Sequence, residues 1–141
     1  MKPPFLLLLL VATNFLFGQE RITWRVLEGV DVQYQQDMLH NVWAMTPKFQ
    51  EEVLDLDGRS VIIKGYALPT SVTGGSYILS AFPFSSCFFC GGAGPESVME
   101  IRLDKKDRFT TDELVELEGI LRVQQQPDQL LYVLDHAVRV P

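Results

Sequence analysis

From residue 60 to residue 140 the chain is a succession of short runs in which apolar and polar residues alternate. Glycine, proline and charged turns break the runs, and no amphipathic helix intervenes. Period-two alternation is the signature of a strand with one buried face. Residues 61–68 open on the β-branched Val61, Ile62 and Ile63 and form the strongest run, stopped by Pro69. Residues 77–82 follow a Gly74-Gly75 turn, and residues 97–103 place Met99, Ile101 and Leu103 opposite Glu100 and Arg102. Leu117, Gly119, Leu121 and Val123 share the next inward face. Residues 130–140 then set Tyr132, Leu134, His136, Val138 and Val140 on one side. Gly65 and Gly119 sit inside apolar runs, as expected where tightly coiled strands bring backbones together. Strands without intervening helices indicate a sandwich or a barrel. The expected fold is all-β: a small antiparallel OB-like barrel of five or six strands with little helix. An open sandwich is the alternative.

The earlier part of the chain is less regular. Residues 22–26 alternate, so Ile22, Trp24 and Val26 are expected to face inward from a strand that resumes at Val30, Val32 and Tyr34 after a bulge at Gly29. Residues 35–46 read as polar and irregular, ended by Pro47, and residues 49–56 suit either a short strand or a helical turn. Trp24 and Trp43 are expected in the core and over it. Asp57-Gly58 is a turn signal, residues 104–108 are a solvated charged turn, and Thr111-Asp112-Glu113 suggests the cap of one helical turn.

Residues 1–18 have the form of a secretory signal: Lys2, an apolar run, and the small residue Gly18 before a polar chain. The run is shorter than the roughly 20 apolar residues of a membrane span. Its removal leaves residues 19–141 as one OB-like domain, exported to the periplasm or the extracellular space, with no transmembrane span. Losing Lys2 takes the formal charge from −6 to −7. So acidic a chain is a poor partner for nucleic acid, whose affinity comes largely from Lys and Arg on phosphates.

The chemistry concentrates in Cys87-Phe88-Phe89-Cys90-Gly91-Gly92, which holds both cysteines of the chain. Thiols at i and i+3 in an exported protein admit three chemistries: a metal clip, a local disulfide or a redox pair. The redox case is weakened by the Gly-Gly-x-Gly-Pro that follows, because a redox pair ordinarily opens a helix. A closed zinc site wants four ligands. His40 and His136, the only histidines, and Glu96, just past the loop, are candidate completers beside Cys87 and Cys90. Phe88 and Phe89 would fold back over the barrel, and Gly91 would permit the turn. No phosphate loop, His-Glu-x-x-His or Gly-x-Ser-x-Gly pattern occurs.

Residues 61–69, then Cys87-Phe88-Phe89-Cys90-Gly91, then Gly94-Pro95-Glu96-Ser97-Val98-Met99-Glu100, look like a domain-of-unknown-function family of small exported bacterial proteins. The resemblance spans nearly all of residues 19–141 and implies an OB-like domain, with no activity attached. What looks like a sister group carries a Cys and a His at the comparable place, which suits a metal site better than a disulfide. The reading expected is a non-enzymatic, extracytoplasmic protein that binds zinc or copper, accessory to an envelope transporter. Its partner would be an envelope protein or a second copy of the chain. An interaction module stapled by a Cys87–Cys90 disulfide and a thiol oxidoreductase are the alternatives.

Overall fold

The computed structural model describes residues 18–70, 77–84, 93–127 and 129–141. The elements are β1 (Glu20–Arg21), α1 (Trp24–Leu27), β2 (Val30–Asp37), β3 (Val42–Phe49), α2 (Glu51–Leu54), β4 (Ser60–Pro69), β5 (Tyr77–Ser80), β6 (Val98–Leu103), β7 (Glu113–Val123) and β8 (Tyr132–Arg139). Five strands close a barrel in the order β4-β5-β6-β8-β7, and β7 returns to β4. Four of these pairings are antiparallel and the fifth, β6 with β8, is parallel, so the barrel is mixed. β1 adds beside β4 in parallel, and β2 and β3 form a separate two-stranded sheet.

The inward residues are those the alternation marks. Val61, Ile63 and Ala67 of β4, Leu79 of β5, Met99 and Ile101 of β6, and Val115, Leu117 and Leu121 of β7 are all buried. Gly65 and Gly119 are buried where backbones touch. A Cβ on Gly65 would lie 2.7 Å from the Ser80 carbonyl, and one on Gly119 would lie 2.8 Å from the Asp135 carbonyl. Leu27 of α1 and Val53 of α2, both fully buried, join the core from outside the barrel sheet.

The segment before the barrel departs from the sequence reading. Residues 24–27 are a helical turn rather than the middle of a strand. A strand would have aimed Trp24 and Val26 inward and Leu27 outward. The turn instead buries Leu27, leaves Val26 38% exposed, and lets the Trp24 Nε1–H donate to the Lys64 carbonyl at 2.8 Å. Gly29 links α1 to β2 and forms no bulge within a strand. Residues 51–54 resolve the ambiguity of their region as a helical turn. Thr111-Asp112 caps no helix: Asp112 takes the left-handed φ of 61° and Glu113 opens β7.

Residues 35–46 are not irregular. They are the outer half of a hairpin arm in perfect register, from Val30 opposite Phe49 to Asp37 opposite Val42, and Pro47 lies within β3 opposite Val32. Trp43 is 65% exposed on this arm and covers no core.

β8 contains a bulge that changes the standing of His136. Opposite β7, Glu118 pairs with Val138 but Ile120 pairs with Asp135, so β8 carries one extra residue across from Gly119. The same slip recurs against β6, between the Ile101–Leu134 and Leu103–Ala137 pairs. His136 has a φ of 52° there, which turns its side chain out to solvent and passes the inward place to Ala137. The strict alternation that put His136 on the apolar face with Tyr132 and Leu134 is therefore broken by one residue.

Candidate functional site

The segment that carries the cysteines leaves the barrel between β5 and β6, and the two ends of that segment are tied together. The Ala81 N–H donates to the Ser97 carbonyl at 2.9 Å, one step beyond the Ser80–Val98 pair that ends the β5–β6 ladder. On the outgoing side the Phe82 N–H donates to the buried Ser80 hydroxyl at 3.2 Å, and the Phe84 N–H to Asp112 Oδ1 at 2.6 Å. On the returning side Pro95–Ser97 makes a single 3-10 turn. The Ser97 N–H and hydroxyl both donate to the Gly94 carbonyl, at 3.0 and 2.6 Å. Pro95 suits the first position of that turn because it has no N–H to satisfy.

A cavity of about 70 Å³ lies at this stem, lined by Trp24, Glu28, Ala81, Phe82, Glu96 and Ser97. Its two charged residues are both carboxylates, one from the end of α1 and one from the 3-10 turn. Behind it stands Tyr132, whose ring meets Phe49 at 5.9 Å and whose hydroxyl donates to the Leu27 carbonyl at 2.6 Å. Burial, and then the negative charge of Glu96, push the Tyr132 hydroxyl far above its ordinary pKa, so it stays a neutral donor. That bond fixes α1, and with it Glu28 and Trp24, against the barrel.

The site residues named from sequence fall into three groups. Glu96 is at the loop stem. His40 is at the tip of the β2–β3 arm, where its Nδ1 lies 2.7 Å from Asp37 Oδ2. His136 is at the β8 bulge, with its Nδ1 3.2 Å from Asp104 Oδ1. Each histidine is thus mostly exposed and held by its own carboxylate. Cys87, Phe88, Phe89, Cys90 and Gly91 lie outside the described residues, as do residues 1–17 of the expected leader. Among the described residues no three His, Cys, Asp or Glu side chains converge as a metal site, and no helix is long and apolar enough to cross a membrane.

Glu28 is the residue that sequence reasoning missed. It is far from the cysteines along the chain and comes to the stem only because α1 is a helical turn. The one signal for that turn was the pairing of Trp24 with Leu27 at i, i+3, which the shorter alternation masked.

The five-strand order, with its one parallel closure, is the topology of the OB fold: a Greek-key barrel that carries its variable chemistry in loops. Among solved structures the chain is similar to a crystal structure of a DUF3299 family protein from Pseudomonas aeruginosa PAO1. The TM-score is 0.56 and the identity 13%, over 88% of this chain and 97% of that one. The likeness shows the fold, and the neighbour's family is one named for a domain of unknown function. No family model and no curated protein matches the chain.

Proposed function

We propose that the protein is an exported, non-enzymatic metal-binding protein in which the Cys87 and Cys90 thiolates hold the ion and Glu96 supplies a further donor. The observation that carries the reading is the clamped stem of the Cys-x-x-Cys segment, where Glu96 and Glu28 line one small, mostly apolar cavity. Zinc accepts thiolate sulfur and carboxylate oxygen together, whereas Cu(I) favours sulfur throughout, so among zinc and copper the donor set favours zinc. His40, in the β2–β3 turn, and His136, at the β8 bulge, stand on other elements than this stem and are left out of the proposed ligand set. A domain of this kind serves as a carrier or sensor beside an envelope transporter, and the fourth ligand would come from Glu28, water or a partner.

The test is native mass spectrometry of protein purified from the periplasm without chelator. One zinc per chain is expected. It should be lost in the Cys87→Ser, Cys90→Ser double variant and bound more weakly in Glu96→Gln. Stoichiometric metal in the double variant would sink the reading. A metal-free chain lighter than the reduced form by its two thiol hydrogens would favour the second reading, an interaction module with a Cys87–Cys90 staple. Phe82 and Phe84, 49% and 57% exposed at the stem, support that second reading.

A further inference from the structure

One face of the β2–β3 arm is apolar from root to tip except at Gln36. Residues two apart on a strand share a face, so the pairs Val30–Phe49, Val32–Pro47, Tyr34–Met45 and Gln36–Trp43 lie on the same side. At the root, Val30, Val32, Met45 and Phe49 pack on the barrel core. Further out the same face leaves the barrel: Tyr34 is 62% and Trp43 65% exposed, and beyond them Met38 and Leu39 are 84% and 91% exposed.

The exposure is built into the turn. Asp37 Oδ1 accepts from the Leu39 and His40 N–H groups, and Asp37 Oδ2 accepts from the His40 ring. Asn41 takes a left-handed φ of 51°, and its Oδ1 accepts from the Gln36 amide. Hydrogen bonds thus hold Met38 and Leu39 outward. An isolated two-stranded hairpin is marginal in water, and monomers rarely expose contiguous apolar patches above about 300–600 Å². An arm of this kind is completed by whatever covers it.

Charge decides among the occupants. The whole chain carries a formal −6, yet between residues 32 and 47 the one formally charged side chain is Asp37, already paired with His40. Two copies of an acidic chain repel across most of their surfaces and least here, while an anionic bilayer would repel the chain as a whole. Buried aromatic side chains contribute about 150–250 Å² each. With Met38 and Leu39, the exposed parts of Tyr34 and Trp43 therefore offer several hundred Å² toward the roughly 800 Å² per partner of a standard interface.

We propose that the arm is a self-association surface: two copies pair arm to arm about a twofold axis, apolar face against apolar face. The pairing involves neither cysteine, so it stands or falls apart from the metal reading. The experiment is sedimentation of the purified protein over a range of concentrations, in chelator, beside the Leu39→Asp, Trp43→Asp double variant. The expected result is twice the chain mass for the wild type and the single chain mass for the variant, with association weakened more than about tenfold. The variant should keep the wild-type circular dichroism spectrum; should it fail to fold, Met38→Ser with Leu39→Ser, confined to the turn, replaces it. A wild type that is monomeric at every concentration, or a dimer that survives the arm variants, overturns the proposal. A monomer that instead floats with phosphatidylcholine vesicles overturns it too and assigns the arm to a bilayer.

Discussion

Replacing Gly119 by alanine tests whether the barrel is closed as tightly as its register requires. Gly119 sits in β7 between Val61 of β4 and the bulged stretch of β8. The added methyl carbon would stand 2.8 Å from the Asp135 carbonyl oxygen and 2.8 Å from Leu134 Cγ, where ordinary contacts begin at 3.4 Å. Relief therefore needs a shift of about half an ångström or more by backbone that is hydrogen-bonded on both sides. Overpacking of this kind costs about 1–3 kcal/mol. Alanine also narrows the unfolded ensemble, which works in the opposite direction by about 0.4–1 kcal/mol. The clash wins, leaving a net destabilisation of about 1–2 kcal/mol. For a domain of this size that lowers the thermal midpoint by roughly 3–10 °C. The assay is thermal unfolding followed by far-ultraviolet circular dichroism. Leu114→Ala serves as control, since Leu114 is half exposed on the same strand and should change little. A Gly119→Ala midpoint equal to or above the wild type would refute the close approach and the register that produces it.

Tyr132→Phe removes the hydroxyl that holds the Leu27 carbonyl and leaves that carbonyl without its buried donor. It should destabilise the fold by about 1–3 kcal/mol in urea titration, and an unchanged midpoint would mean that α1 is anchored otherwise. Arg139 reaches both Asp107 and Glu113, at 3.2 and 2.7 Å, and its guanidinium lies 4.7 Å from the Phe109 ring centre. The Arg139 hydrogen bond holds Glu113 below its usual 4.5, while the Arg108 N–H, and then Arg139, hold Asp107 below 3.8. Groups whose pKa is lowered on folding stabilise the fold above their unfolded values and lose that contribution as pH falls through the folded ones. Wild type should therefore exceed Arg139→Met in stability at neutral pH, modestly because the pairs are partly exposed, and the gap should close on acidification below about 4. A gap that does not depend on pH would assign the effect to packing on Phe109 alone.

How much could be read in advance followed the burial of each segment. β4, β6 and β7 each keep one face in the core along most of their length, so selection for burial writes the period into the sequence. In the outer arm little of either face is buried, Met45 being the residue that reaches the core. Gln36 interrupts the arm's apolar face beside the exposed Trp43, so the contrast between its faces is weak along the sequence and a well-formed hairpin reads as a polar loop. The β8 bulge left no mark because the residue that absorbs it is His136, in a left-handed conformation usually taken by glycine or asparagine. At the candidate site, Glu96 stands at the stem as its place just past the loop in sequence suggests. Glu28 was not legible, since only the packing of Leu27 under Tyr132 brings it there.

The bond from Ala81 to Ser97 bears on how such a chain can change over generations. Because the Ala81–Ser97 bond closes the ladder before the connection begins, changes in the sequence between those two residues need not disturb the Ser80–Val98 pairing. Even doubling the segment would add only about 0.6 kcal/mol of closure entropy. Barrel stability and the sequence of this connection are therefore separately heritable: a lineage is free to exchange one connecting segment for another on the same inherited scaffold.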